Sequence, residues 1–278
     1  MRLPRSVRRG IGAALVGLAV VTVAGACGDK DKPGTPVAFM ARTAEGAIPS
    51  AGTMDQARQL VEKRAQGLGL GKTTVTVDAD MMTITVAGDD GTAARLLGKT
   101  GRVLVRPVLS TRIFQPAGVK PMPLKEIRQS TDPAVQAATL AGFDCRLPEP
   151  LQGGDDATLP FVTCANTGDA AYLLGPSVID GREIADAKGG MDTRTARYGV
   201  NVTFTDAGSR QFAQYSVANI GKQFAFVVDS QVVSAPVIQS AVTGGQTQIT
   251  GNFTKDTADN LGAALRFGAL PAIFTPQG

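Results

Sequence analysis

Three cysteines, no histidine, no tryptophan and several paired aspartates are the residues of this 278-residue chain with the means for chemistry. The missing histidine removes every Ser-His-Asp and Cys-His arrangement and every histidine-containing zinc or iron site. Carboxylate chemistry remains open. Asp89-Asp90, Asp155-Asp156, Asp180 and Asp192 are the acidic candidates. All fall in glycine-rich turns, where a solvated loop carboxylate is the default. A metal-dependent hydrolase needs convergent carboxylates, and this spacing reveals no convergence. No catalytic residue, metal or cofactor is expected, and the chain reads as a non-enzyme.

The cysteines divide into one and two. Residues 1–10 are basic, and residues 11–26, IGAALVGLAVVTVAGA, carry no charge and end in small residues before Cys27. That layout is a signal peptide over 1–26, since an apolar run of this length is short of the ~20 residues a membrane-spanning helix needs. Ala24-Gly25-Ala26-Cys27 resembles a bacterial lipobox, although Leu or Val is commoner than Ala24 at its position. Cys27 is then the diacylated (palmitate-type) N-terminus of a lipoprotein on the extracytoplasmic face of the cell membrane. An uncleaved anchor, or ordinary cleavage leaving a free cysteine, are the alternatives. Cys145 and Cys164 remain, 19 residues apart around a Gly/Pro/Asp-rich loop. Two thiols in an oxidising compartment read as a structural disulfide. Closing such a loop stabilises by roughly 3 kcal/mol in the chain-entropy account. A redox or metal pair is the other reading, without CxxC spacing or histidine to support it.

Charge closes off one further class. The formal net charge of +4 suggests a polyanion ligand, but Arg2, Arg5, Arg8 and Arg9 all precede Cys27 and no acid does. Without them the 28 basic residues become 24, equal to the 24 acidic ones. A neutral mature chain gives no electrostatic footprint for nucleic acid.

The elements that must position these residues follow from periodicity. Residues 27–35 are a polar, breaker-rich tether. A strand is expected over 36–42, then a helix over 54–68 with Thr53 as N-cap and Gly69 as its stop. Alternation over 73–78 and 81–86, separated only by Ala79-Asp80, predicts a tight hairpin. A short helix over 92–97 and a strand over 101–109 complete a β-α-β-β-α-β order, that of a ferredoxin-like unit. Asp132-Pro133 opens a helix through Leu140. Further strands are expected over 171–174, 198–204, 224–229, 232–239 and 247–250. Helices over 206–219 and 255–267 are capped by Thr205 and Thr254.

LLGPSVIDGREI (173–184), YGVNVTFTDAGSRQF (198–212), VVDSQVVSAPVI (227–238), GGQTQITGNFT (244–254) and ALRFGALPAIF (264–274) together resemble the head of the first extracytoplasmic domain of the SecD family. ARQLVEKRAQGLGL (57–70) and LLGKTGRVLVRPV (96–108) are similar to that domain's base. The resemblance covers about residues 36–275 and implies an α+β fold: a ferredoxin-like base over 36–109, an inserted α+β head over 110–268, and a terminal strand and tail over 269–278. It also implies that the apolar segment 270–274 returns to the base sheet. Each motif has a plain architectural reading beside this: turn glycines, a proline at a strand edge, and an Arg64 that packs or pairs across the base. Two departures from the family are expected: its Asp-Leu-Arg-Gly-Gly type motif is absent where FMARTAEGA (39–47) stands, and no counterpart of its later transmembrane bundle is expected here. The expectation is a lipid-anchored module without a proton pathway of its own.

What the resemblance implies about function is binding without catalysis. Exported polypeptides and components of the Sec machinery are the expected partners. An envelope lipoprotein that uses the head fold to bind another protein or a small ligand is the alternative. Phe204, Phe212, Tyr215, Phe224 and Phe226 form a cluster among the scarce aromatics, 11 Phe and 3 Tyr in all. Phe224 and Phe226 share a strand face, and Phe212 and Tyr215 share a helix face. They are either a polypeptide-contact surface or the core of the head; in the second case binding falls to sheet edges and loops.

Overall fold

The computed structural model describes residues 32–113, 121–193 and 195–277, so the expected signal peptide and Cys27 lie outside the described residues. β1 (Val37–Arg42) buries every second side chain, as a half-covered strand must. α1 (Ala51–Gly67) begins three residues earlier than expected: Ser50, not Thr53, is its N-cap, and the Ser50 side chain accepts from the Thr53 N–H. β2 (Thr73–Asp78) and β3 (Met81–Val86) form the expected hairpin, with Ala79 in the left-handed region at φ 51°. α2 (Thr92–Leu97) ends at Gly98.

The expected base strand over 101–109 needs correction. It runs as β4 (Val103–Ile113), and its partners lie in the head. After it come α3 (Lys125–Arg128), α4 (Pro133–Gly142), β5 (Phe161–Cys164), β6 (Ala170–Leu174), β7 (Ile179–Asp180) and β8 (Ile184–Asp192). β9 (Arg197–Phe204), α5 (Asp206–Ala218), β10 (Phe224–Val228), β11 (Gln231–Ser234), β12 (Gln246–Phe253), α6 (Lys255–Phe267) and β13 (Ile273–Pro276) complete the chain.

The base is one antiparallel sheet, ordered β13-β1-β3-β2. Its fourth strand is therefore β13, which reaches β1 from the far end of the chain, with Ala41 opposite Phe274. With β13 in that role the base keeps the ferredoxin-like order, and everything from β4 to α6 is an insertion. Val61 and Ala65 of α1 pack over Phe39, Ile84 and Phe274 in its core.

The head holds two further antiparallel sheets, one following β11-β10-β4-β6-β5 with β7 also on β4, the other β12-β9-β8. The ends of the longer path meet. Ala165 and Val232 form a parallel bridge, and the Asn166 N–H donates to the Val232 carbonyl at 2.8 Å. A sheet joined at its ends leaves fewer free strand edges to pair with other chains. α6 lies against β8 at very short range: a Cβ on Gly189 would sit 2.5 Å from Ala258 C and Asp259 N.

Candidate functional site

The aromatic residues proposed as a contact surface are in the head's core. Phe204, Phe212, Phe224 and Phe226 are 1–5% exposed. Phe212 lies 5.3 Å from Phe204 and 5.4 Å from Phe224, centroid to centroid, and Phe224 lies 5.3 Å from Phe226. Only Tyr215, stacked on Phe212 at 6.5 Å, is half-buried. Of the two sequence readings, the core one describes these rings. Burying an aromatic side chain stabilises by about 1.5–3 kcal/mol, which is what a strand-helix-strand arrangement uses to hold its layers together.

The acidic candidates do not converge. Asp89 accepts from the N–H groups of Gly91, Ala93 and Ala94 and so closes the start of α2, and Asp180 accepts from the Arg182 N–H. Asp156 takes the Thr158 N–H and hydroxyl. Asp155 pairs with Arg106 at 2.6 Å, both side chains at most 1% exposed. Among the described residues no group of acids or cysteines is arranged to hold a metal. Cys145 and Cys164 are bonded, with Cα atoms 5.6 Å apart, and the bridge lies in a small core with Leu140, Phe143 and Val162.

A groove that the sequence did not point to opens where the two head sheets meet. It has a volume of about 550 Å³ and lies between β11, the β5–β6 turn and strands β9 and β12. Val233 and Ser234 give it a strand edge, and Tyr172, Tyr198, Asp169 and Arg197 give it aromatic faces and both signs of charge. Burial raises the Tyr172 phenol above its ordinary pKa, and Asp169 adds to the effect. Tyr172 is the partly exposed residue of a strand whose other four are buried, and no spacing in the chain marks it.

The second constructed feature is the joint between base and head. Arg64, at the end of α1, is 2% exposed. Its guanidinium donates to the carbonyls of Leu97, Lys99 and Thr100, at 3.3, 2.7 and 2.9 Å, and of Gly268 at 2.6 Å. The first three lie where the chain leaves the base for β4, the last where it returns from α6. Burial pulls the Arg64 pKa down to about 10, with the charge of Asp229 opposing it, so the side chain is a cation at neutral pH. Asp229 belongs to the β10–β11 turn and accepts from the Arg102 N–H at 2.8 Å.

Comparison with known proteins gives this geometry a family. The family model described as SecDF, P1 head subdomain, matches residues 159–272, from just before β5 to just before β13. Protein translocase subunit SecD of Mycobacterium tuberculosis (strain H37Rv) is 34% identical, aligned over 88% of this chain and 56% of its own length. This chain carries a SecD-family first extracytoplasmic domain. SecDF of Thermus thermophilus is 41% identical over 35% of the chain and 13% of its own. Thus the chain spans about half the length, or less, of these SecD relatives. A solved structure titled "Structure and function of a membrane component SecDF that enhances protein export" has the same fold, with a TM-score of 0.53 at 24% identity over 88% of this chain and 98% of that one.

The SecD-like motif VVDSQVVSAPVI acquires a physical explanation. Asp229 and Ser230 both take positive φ, 48° and 67°, in the tight turn between β10 and β11. The Ser230 hydroxyl donates to Asp155 at 2.7 Å and accepts from the Gly153 N–H, while its carbonyl accepts from Thr163 on β5. Pro236 lies beyond β11, which ends at Ser234 rather than at the expected 239.

Proposed function

We propose that this SecD-family domain serves protein export by holding extended segments of exported polypeptides outside the membrane, without catalysis. We read it as anchored there by a diacylated Cys27. The observation that carries the reading is the groove between β11 and β12. It is open, about 550 Å³ in volume, edged by strand backbone and lined by tyrosines and side chains of both charge signs. Such a lining suits main-chain contacts with many sequences better than one tightly specified ligand. With the phenylalanines buried, binding falls to strand edges and loops. Family membership supports the export role, and contact with the Sec machinery belongs to the same reading. Among the described residues no helix is long and apolar enough to cross a membrane.

Photo-crosslinking in cells tests it. A crosslinker at Tyr198, in the groove, is expected to capture exported chains or Sec components, and one at the exposed Thr76 of the base is not. Absence of both kinds of partner from the Tyr198 sample abandons the proposal. In the same cells Cys27→Ala should move the protein to the soluble or unprocessed pool, and mature-size protein still in the membrane fraction rejects the lipid anchor. The presence of Tyr172, Tyr198, Asp169 and Arg197 in one groove also favours a second reading, a small polar ligand in an envelope lipoprotein unrelated to export. A tight, saturable small-molecule ligand with no polypeptide crosslink would select it.

A further inference from the structure

We infer that Arg64 is a clamp that fastens the head to the base in the orientation seen in this structure. Only two segments of chain pass between the two bodies, 97–102 outward and 267–272 back, and one buried guanidinium holds carbonyls of both. The segments are also tied to each other, because the Leu270 N–H donates to the Thr100 carbonyl at 2.8 Å. The Asp229 N–H donates to Arg102 O, so the head's β10–β11 turn grips the outward segment as well.

The fork shape of arginine matters here. A planar guanidinium presents donors in fixed directions and so can hold several carbonyls at set angles, which a single rotating ammonium does less well. Space for it is made by missing side chains. A Cβ on Gly101 would fall 2.9 Å from Arg64 Nη2 and 2.6 Å from Ala264 Cβ, and Gly101 has φ +71°. A Cβ on Gly67 would fall 2.4 Å from the Phe267 ring. The end of α1 therefore packs directly on the Phe267 ring of α6, and the outward segment at Gly101 packs on Ala264 and on the arginine. Among the described residues Arg64 Nε has no hydrogen-bond partner, so the contacts of the residue here come from its two terminal nitrogens.

Hydrogen exchange of the full-length protein reads this directly, since the amides of Leu270 and Asp229 span the joint while those of Ile84 and Val202 report the cores of base and head. In wild-type protein the two joint amides should be protected. Arg64→Gln should speed their exchange at least tenfold and leave Ile84 and Val202 within about twofold. Arg64→Lys, which keeps the charge without the fork, should return part of the lost protection. Unchanged joint amides in Arg64→Gln overturn the clamp. So does a variant that loses protection in both cores, because a part that only fastens two folded bodies leaves each of them folded. If lysine restores no more than glutamine does, a cation at this point is not what holds the joint, and the proposal fails.

Discussion

The base and the head bury different kinds of side chain. Among the described residues the base core is apolar throughout, and its one buried charge, Arg64, stands at its border with the head. The head instead seats Arg106 and Arg128 at 0% side-chain exposure, each on a carboxylate at 2.6 Å. Arg106 also donates to the carbonyls of Asp156, Leu159 and Gly175. The Arg128 guanidinium lies 5.0 and 4.6 Å from the ring centres of Phe143 and Phe161, within cation–π range. An apolar core tolerates changes that conserve volume. A buried ion pair adds little net stability when complete and costs heavily when one partner goes. The base is thus held by apolar burial alone, whereas the head adds to an apolar core buried ion pairs that cost heavily once one partner is lost.

Three experiments break or sharpen that contrast. Phe226→Ser should have the largest effect, about 4–5 kcal/mol, since removing a core aromatic costs about 3–5 and the new hydroxyl adds to it. Denaturant unfolding followed by hydrogen exchange should show the head lost first and the base sheet retained. Simultaneous loss of both would make the two bodies one cooperative unit. Arg106→Met should cost about 3–4 kcal/mol by leaving Asp155 buried and unpaired. Adding Asp155→Asn should recover part of it, and a double variant no more stable than the single one would remove the ion pair from the account.

The smallest effect concerns pH. Burial raises the Asp229 pKa above its ordinary value, although the N–H groups of Gly101 and Arg102 and the charge of Arg64 pull it down. The folded state then holds this proton more tightly than the unfolded one. Stability contributed by the group is complete below the unfolded carboxylate pKa and is lost as pH rises through the folded value. Mild acidification from neutrality should therefore stabilise the joint, read as slower exchange of the Leu270 amide relative to the fully exposed amides of the same sample. Asp229→Asn should remove that dependence, and an unchanged pH profile in the variant would assign it to another group.

The sequence by itself determined the elements whose pattern is local. The β2–β3 hairpin, α2 and the caps Thr205 and Thr254 were readable because alternation, helical spacing and capping hydroxyls act within a few residues. β8 was not readable: IADAKGGMD has no alternation, and Gly189 is there because α6 crosses it closely. The sheet that β4 would join was equally hidden, since Val, Leu and Val in a strand declare that they will be buried but not against what. The same holds for Phe212 and Phe226, which were identified as the residues that matter before their inward direction was decided. The groove and the Arg64 clamp arose only with tertiary structure. Each joins groups from separate segments, 204 residues apart in the case of Arg64 and Gly268, and contacts between segments so distant leave no spacing in the chain to read, because the fold that brings them together is itself what creates them.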